Sequence, residues 1–246
     1  MSRFTKFVII ILLICAPLPL FALSADEIVR EVDRRSTFAT SHATGTIIVT
    51  DRFGERVSTF EAWAKGSDKS LIEFTSLAER GQKILRVSQN LYLYYPEADQ
   101  LIRLQGAALR QSVLGSDLSY EDMTKEKSTL DAYRATLEGT EAIDGFDCYR
   151  ITLTAKSRKE AYPVQHLWID TQDFVIRKAI YATETGRELK EMQLLSTMHV
   201  GDVLIAQKSK LIDLLKRNSH TTMHIEQLEI NMDLADSLFS LENLSW

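Results

Sequence analysis

The sequence predicts a mainly β protein built on one meandering antiparallel sheet. Short segments rich in Val, Ile, Thr and Tyr recur along the chain, and most of them alternate apolar with polar residues. Turns containing Gly, Asn, Asp or Pro separate these segments, and such short connections join antiparallel neighbours. Helical spacing of apolar residues is confined to a few short stretches. A chain of 246 residues that is 45% apolar can form one large β domain.

The first residues predict an export signal. Arg3 and Lys6 precede an unbroken apolar run at residues 7–14, and Pro17 and Pro19 interrupt the weaker apolar stretch that follows. A cationic start followed by a short apolar run is typical of a secretory signal peptide. A retained membrane anchor is disfavoured, because a spanning helix needs about 20 apolar residues without such breaks.

Cleavage is predicted after Ser24, which makes residues 1–24 the signal peptide and residues 25–246 a single exported domain. Lipidation at Cys15 is the alternative, but the β-branched Ile14 stands where a lipoprotein signal requires a small residue. The sequence therefore favours a soluble periplasmic protein over a lipid-anchored one.

The charge of the exported chain argues against nucleic-acid binding. Residues 1–24 contain two cations and no anion, so their removal changes the net charge from −5 to −7. A nucleic-acid binder would instead show a basic footprint. Cys148 is then the one remaining cysteine, so no intramolecular disulfide is expected.

The elements follow in order along the chain. A first helix is predicted over residues 25–37, where Ile28, Val29 and Val32 have helical spacing. The first group of predicted strands covers residues 43–50, 56–66, 69–78, 82–88, 90–96 and 100–104. The second group covers residues 133–143, 147–156, 164–170, 174–183, 188–198, 202–216 and 221–232. Residues 204–216 also fit a helix, because Leu211, Leu214 and Leu215 recur at helical spacing.

The second and third strands are predicted to form a hairpin with a two-residue turn at residues 67–68. This turn would place Trp63 opposite Ile72 and Glu61 opposite Phe74, with all four side chains on one face.

The strand at residues 90–96 is apolar on both faces. Leu91, Leu93 and Tyr95 point to one side, while Tyr92 and Tyr94 point to the other. An antiparallel sheet with water on one side should show a polar face there. The second face therefore either packs under helices or lines an apolar cavity, and the pattern alone leaves a cavity and a filled core equally open. The candidate cavity-wall residues are Trp63, Ile72, Phe74, Tyr92, Tyr94 and Trp168.

Residues 111–123 read QSVLGSDLSYEDM and interrupt the strand pattern. As a catalytic loop, the segment would offer Ser116 or Ser119 as a nucleophile, but it lacks the G-x-S-x-G arrangement. Capping is the simpler interpretation, because Ser119 or Asp117 can begin a short helix whose first turn is acidic. We predict a movable lid over the cavity, with Leu114 and Tyr120 as its apolar residues.

No metal, cofactor or catalytic residue is expected. His220 and His224 lie on a predicted strand, where residues four apart are separated by about 13 Å and cannot share one ion.

Residues 70–123 resemble the LolA-like outer-membrane lipoprotein-sorting protein family. Its members carry the order Y-x-Y-x-P, Q-S and G-S-D-x-S-Y-E-D. The matching residues here are Tyr92, Tyr94, Pro96, Gln111, Ser112, Gly115, Ser116, Asp117, Ser119, Tyr120, Glu121 and Asp122. The FSLENL stretch at residues 239–244 also agrees with the family pattern.

The resemblance implies a strongly curved antiparallel sheet, an unclosed half β-barrel with helices plugging its concave side. It also implies a non-enzymatic, monomeric periplasmic carrier that binds acyl chains of lipoproteins or lipids and delivers them towards the outer membrane. An inner-membrane donor and an outer-membrane acceptor would be its partners. Two alternatives stay open: a periplasmic sensor of the same fold, and a lipid hydrolase.

Overall fold

The computed structural model of the chain describes residues 23–123 and 128–244, so nearly all of the predicted signal peptide, residues 1–24, lies outside the described residues. The described part is mainly β, with three short helices and one unclosed antiparallel sheet of 13 strands, as predicted. The helices are α1 (Ala25–Ser36), α2 (Tyr120–Met123) and α3 (Thr129–Ala132). The first six strands are β1 (Thr40–Asp51), β2 (Gly54–Lys65), β3 (Lys69–Phe74), β4 (Lys83–Val87), β5 (Asn90–Tyr95) and β6 (Gln100–Leu104). The others are β7 (Tyr133–Ile143), β8 (Phe146–Ala155), β9 (Val164–Asp170), β10 (Ile176–Ala182), β11 (Glu188–Val200), β12 (Val203–Asp213) and β13 (His220–Ile230).

The sheet consists of two meanders joined side by side. Its strand order is β6-β5-β4-β3-β2-β1-β13-β12-β11-β10-β9-β8-β7, so only the β1–β13 pair joins strands distant in sequence. We call β1–β6 the N-terminal half-sheet and β7–β13 the C-terminal half-sheet. The predicted meander is confirmed.

The sheet curves around α1. This helix contacts both β7 and β12, which lie five strands apart in the sheet. Five strand spacings span about 24 Å on a flat sheet, roughly twice the diameter of a helix. One helix therefore reaches both strands because the sheet wraps around it, and the face beneath α1 is the concave face.

The first helix forms where it was predicted. Ser24 and Glu27 make a capping box, in which the Glu27 N–H donates to Ser24 Oγ at 3.3 Å and the Ser24 N–H donates to Glu27 Oε2 at 2.8 Å. Ile28 and Val29 are buried on the side that faces the sheet.

Two apolar clusters cover the concave face. The cluster of the N-terminal half-sheet contains Ile47, Val49, Phe60, Ile72, Phe74, Ile84, Leu91, Leu93, Leu104, Val113 and Tyr120. The cluster beneath α1 contains Ile28, Val29, Tyr133, Ile151, Leu153, Leu167, Ile169 and Ala179.

A third cluster lies on the convex face of the N-terminal half-sheet. Residues 232–244 cross this face as an irregular segment, the C-terminal strap. Its Leu234, Phe239 and Leu244 pack against Leu71 and Leu85. The strand at residues 90–96 is apolar on both sides because both of its faces are covered, one by this strap. Of the two alternatives for its second face, the structure shows packing.

The predicted register of the β2–β3 hairpin is wrong by one residue. Trp63 pairs with Leu71 and Phe60 pairs with Phe74, while Ile72 pairs with Ala62. The turn has three residues, because Gly66 adopts a left-handed conformation with φ of 60°. A shift of one residue moves side chains to the other face. Trp63 therefore lies on the convex face, opposite the face that holds Ile72 and Phe74.

The predicted strand at residues 202–216 is observed as β12 (Val203–Asp213), so the helical alternative for residues 204–216 is wrong. Leu211 lies between Met192 of β11 and Thr221 of β13. Leu214 and Leu215 fall in the following turn, where their helical spacing has no structural role.

Candidate ligand-binding site

Residues 105–122, the cover segment, lie across the concave face of the N-terminal half-sheet. The segment folds back on itself through a bridge between Ser112 and Ser119. The Val113 N–H donates to the Leu118 carbonyl at 2.8 Å, and the Tyr120 N–H donates to the Gln111 carbonyl at 3.2 Å. These backbone groups are satisfied within the segment, so the segment rests on the sheet without extending it.

The underside of the cover segment is apolar. Val113 and Tyr120 are buried, and Leu114 and Leu118 pack against the same cluster as Ile72 of β3. The Tyr120 hydroxyl is hydrogen-bonded to Tyr95, and burial together with this bond raises the pKa of Tyr120. The underside thus fills the concave surface with the chain's own side chains.

Very little space remains beneath the cover segment. A cavity of about 10 Å³ is lined by residues that include Phe74, Ile84, Leu93, Leu114 and Tyr120. That volume is about what one water molecule needs. An acyl chain therefore fits here only when side chains of the cover segment leave.

The tip of the cover segment has a strained backbone. Leu114 has φ of 52° and Gly115 has φ of 69°, and the Ser116 N–H closes the turn on the Val113 carbonyl at 2.9 Å. A left-handed conformation is ordinary for glycine but costs about 1 kcal/mol or more for a residue such as leucine. The packing of the Leu114 side chain in the apolar cluster offsets this cost.

Asp117 is the first polar anchor of the cover segment. Its carboxylate is buried and accepts hydrogen bonds from Lys216 Nζ at 2.9 Å, Ser219 Oγ at 3.1 Å and Thr221 Oγ1 at 3.1 Å. Its own N–H donates to Thr221 Oγ1 at 2.8 Å. All three donors belong to the β12–β13 turn or to the start of β13. This anchor therefore fastens the tip of the cover segment to the turn between two central strands, β12 and β13.

Asp122 is the second polar anchor. It accepts from Lys190 Nζ at 2.7 Å and from the Tyr162 hydroxyl at 3.0 Å. Burial and the Asp122 charge raise the pKa of Tyr162, which therefore stays a neutral donor. Asp122 also forms a capping box with Ser119, in which the Asp122 N–H donates to Ser119 Oγ at 3.2 Å and the Ser119 N–H donates to Asp122 Oδ2 at 2.8 Å. Of the two predicted caps, Ser119 and Asp117, the structure shows Ser119 at the start of α2.

The structure brings together four of the eight predicted site residues. Ile72 and Phe74 of β3 lie in one cluster with Leu114 and Tyr120 of the cover segment. Two of the predicted wall residues and both predicted lid residues thus meet on the concave face.

Trp63, Tyr92 and Tyr94 lie on the other side of the sheet, beneath the C-terminal strap. Trp63 also stacks on His42, with ring centroids 5.1 Å apart. The one-residue register error accounts for Trp63. The two tyrosines alternate with Leu91 and Leu93 along β5, so their side chains pack on the convex face, and Tyr94 also borders the small cavity beneath the cover segment.

Trp168 lies apart from both groups. It lines an open groove of about 450 Å³ on the convex face of the C-terminal half-sheet, together with Arg150, Thr152 and His166. Its indole N–H donates to Glu141 Oε2 at 2.8 Å. The six predicted wall residues therefore occupy three places and do not line one cavity.

The serines considered as nucleophiles have local structural contacts. Ser116 Oγ accepts from the Leu118 N–H at 3.1 Å, and Ser119 Oγ caps α2. Across residues 23–123 and 128–244, no group of three or more His, Cys, Asp or Glu side chains is arranged to hold a metal ion.

The partners of the two anchors were not found from the sequence. Lys216 lies 99 residues from Asp117, and Lys190 lies 68 residues from Asp122. Tyr162 lies 40 residues from Asp122. No local pattern marks these donors, because their role depends on pairs of strands that only the fold brings together.

In the part of the chain that the structure covers, the longest helix is α1 with 12 residues, and no helix has the length and apolarity of a membrane span.

Solved structures of other proteins share this architecture. A DUF1329 family protein from Desulfovibrio piger is 23% identical, with a TM-score of 0.83 over 88% of this chain and 96% of that chain. A domain assigned to outer-membrane lipoprotein sorting from Vibrio parahaemolyticus is 19% identical, with a TM-score of 0.81 over 89% and 97%. A LolA superfamily protein from Nitrosomonas europaea is 24% identical, with a TM-score of 0.75 over 90% and 100%. The fold is therefore LolA-like.

A family model described as "Uncharacterized protein" matches residues 66–246, and the chain belongs to this family. The curated proteins contain no significant match to the chain.

Proposed function

We propose that the protein is a periplasmic carrier that holds acyl chains of lipoproteins or lipids on its concave face and delivers them towards the outer membrane. One observation carries the proposal. The underside of the cover segment is an apolar plug on an apolar surface, and two polar anchors, the buried Asp117 and the partly buried Asp122, hold it there.

The energetics suit reversible exchange. Burying one methylene group stabilises by about 0.8 kcal/mol. An acyl chain that takes the place of Leu114, Leu118 and Tyr120 restores the apolar contacts that the sheet loses. The net cost of opening is then mainly the loss of polar contacts at the tip of the cover segment. A carrier needs this balance, because it must shield an acyl chain from water and still release it.

The predicted signal peptide, residues 1–24, would deliver a single domain of residues 25–246 to the periplasm as a monomer. Lipoprotein sorting is attributed to a protein with the same fold, which supports this cargo class. An inner-membrane donor and an outer-membrane acceptor would supply and receive the acyl chains.

Weakening the anchors tests the proposal directly. A closed cover lowers the apparent affinity in proportion to the open fraction. We expect the double variant Asp117→Asn and Asp122→Asn to bind a fluorescent fatty acid about tenfold more tightly than the parent, which corresponds to about 1.4 kcal/mol of easier opening. Asp236→Asn is the matched control, because Asp236 belongs to the C-terminal strap on the convex face and pairs there with Lys65 and Lys69. Equal affinities in the parent and the anchor variant would argue against a cover held by these carboxylates.

Truncating the plug gives an independent test. Leu114→Ala together with Tyr120→Ala removes side chains that occupy the concave surface, so the fatty-acid affinity should change. Unchanged binding in a folded variant would refute the cover. Native mass spectrometry of the protein purified without detergent should show an added lipid mass. The bound lipid should keep the same mass after the complex is incubated. A lipid hydrolase would instead convert it to products of lower mass.

A further inference from the structure

The β1–β2 turn exposes a large aromatic side chain. Phe53 lies at the apex of the turn and is 80% exposed. The turn itself is well defined, because the Phe53 N–H donates to Asp51 Oδ1 at 2.7 Å. The Arg52 guanidinium lies 4.6 Å from the centre of the Phe53 ring. The ring is thus held in solvent by an ordered turn and does not fold back onto the sheet.

A second apolar turn lies next to the first. Thr50 at the end of β1 pairs with His220 at the start of β13, so the turn that precedes β13 is the neighbour of the β1–β2 turn. This second turn carries Leu214 and Leu215, which are 39% and 55% exposed. Three exposed apolar side chains therefore lie on neighbouring turns at the same end of the central strands, on a surface that we call the corner.

Charged side chains flank these apolar residues. Arg52 and Arg56 lie beside Phe53, and Lys216 and Arg217 follow Leu215, while the carboxylates of Asp51, Glu55 and Asp213 belong to the same two turns or the strand ends next to them. Arg56 pairs with Asp51 at 3.0 Å, and Lys216 pairs with Asp117 at 2.9 Å while its side chain stays 41% exposed. Apolar tips interleaved with Arg and Lys are the pattern of a protein surface that rests in the headgroup region of a bilayer.

We propose that this corner, residues 52–56 together with residues 214–217, contacts the surface of an anionic phospholipid bilayer. Phe53 and Leu215 enter the boundary between headgroups and acyl chains, and Arg52 and Arg217 lie at the level of the phosphates, because Arg56 and Lys216 are already paired with carboxylates. The side chains project singly from two turns and form no packed patch, which suits a fluid lipid surface better than a protein partner. This inference goes beyond the carrier function and does not depend on it.

The corner also adjoins the tip of the cover segment. Lys216 Nζ donates to the Ser116 carbonyl at 3.2 Å, and Arg56 Nη2 lies 3.8 Å from the position of a Cβ on Gly115. Contact with a bilayer at this corner therefore places the first anchor of the cover segment against the lipid surface.

Vesicle flotation tests the contact. The purified protein is mixed with vesicles of phosphatidylethanolamine and phosphatidylglycerol in a 3:1 ratio, and separately with phosphatidylcholine vesicles. Mass spectrometry of the intact protein confirms that the predicted signal peptide, residues 1–24, is absent from every preparation. We expect at least about fivefold more protein to float with the anionic vesicles, and this excess should shrink as salt is raised.

Two variants and a control separate the causes. Phe53→Ser with Leu215→Ser should lower flotation about fivefold, and Arg52→Gln with Arg217→Gln should remove most of the salt dependence. Phe146→Ser is the matched control, since Phe146 is a 44% exposed aromatic residue beside a hairpin at the opposite end of the sheet. Circular dichroism and thermal unfolding verify that each variant is folded.

Four outcomes would overturn the proposal. They are no flotation of the parent with anionic vesicles, parent-like flotation of the Phe53 and Leu215 variant, an equal loss in the Phe146 variant, and capture of a protein by the same corner without vesicle binding. The fatty-acid binding assay stays independent, so a failed membrane contact and a failed carrier function are distinguishable.

Discussion

The two halves of the sheet bury their faces differently. The N-terminal half-sheet is covered on its concave face by the cover segment and on its convex face by the C-terminal strap. The C-terminal half-sheet packs its concave face under α1, while its convex face carries polar side chains such as Arg150, Thr152 and His166 around an open groove. One continuous sheet thus behaves as a three-layer structure at one end and a two-layer structure at the other.

This difference teaches where the chain is able to change shape. The covers of the N-terminal half-sheet are irregular segments that pair with no strand, whereas α1 is a regular capped helix. Irregular segments without ladder hydrogen bonds open at lower cost than packed strands. The irregular cover segment therefore suits a site that opens for a ligand, whereas the regular helix α1 suits a core that stays closed.

The largest expected effect concerns the C-terminal strap. Phe239→Ala removes a side chain that is 4% exposed, and it should lower the free energy of unfolding by about 3–5 kcal/mol. Phe53→Ala, at an exposed turn, should change it by less than about 0.5 kcal/mol. Urea unfolding of both variants measures the difference. A small loss for Phe239→Ala would mean that the strap is a loose tail and that the convex face is open.

A second pair of variants compares the convex face of the N-terminal half-sheet with that of the C-terminal half-sheet. Leu85 of β4 is fully buried beneath the C-terminal strap, so Leu85→Ala should lower the free energy of unfolding by about 2–5 kcal/mol. Ile180 of β10 lines the open groove, and Ile180→Ala should cost clearly less. Equal losses in urea unfolding would contradict the contrast between a covered and an uncovered convex face.

The third prediction concerns a polar lock in the C-terminal half-sheet. Burial opposes ionisation of Asp170, but the N–H groups of Gln172 and Asp173 and the Arg177 guanidinium outweigh it and lower the pKa of Asp170. A depressed carboxyl pKa gives stability that is present above the unfolded value of about 3.9 and is lost as pH falls below it. Asp170→Asn should lower the free energy of unfolding by about 1–3 kcal/mol at pH 7.

The pH dependence provides the check on this lock. Between pH 5 and pH 3, the parent should lose more stability than the Asp170→Asn variant, which has no carboxylate to protonate there. Parallel pH profiles for the two proteins in urea unfolding would exclude a contribution from Asp170.

The smallest expected effect is that of Trp168. The indole is half-buried on the uncovered convex face, and its N–H is bonded to Glu141. Trp168→Phe should lower the free energy of unfolding by less than about 1 kcal/mol and leave fatty-acid binding unchanged. A large loss of binding would place the ligand on the convex face and break the assignment of the site to the concave one.

Much of the secondary structure was predictable from local patterns. The capped helix α1 and each predicted strand overlap the observed elements, because alternation and turn residues act over a few neighbours. The β2–β3 register failed because the left-handed Gly66 adds one residue to the turn. Half of the candidate site was predictable: Leu114, Tyr120, Ile72 and Phe74 meet, while Trp63, Tyr92, Tyr94 and Trp168 lie elsewhere.

The sequence by itself determined the type of most long elements, a short acidic helix capped by Ser119 or Asp117, and the double-sided apolar character of β5, because these follow from spacing and capping within a few residues. Only the tertiary structure decided which cover each face receives. That choice depends on contacts between residues about 100 positions apart, such as Asp117 with Thr221, and on a strand order that places β13 beside β1. Local chemistry fixes which side chains need burial, and the curvature of the whole sheet fixes what buries them.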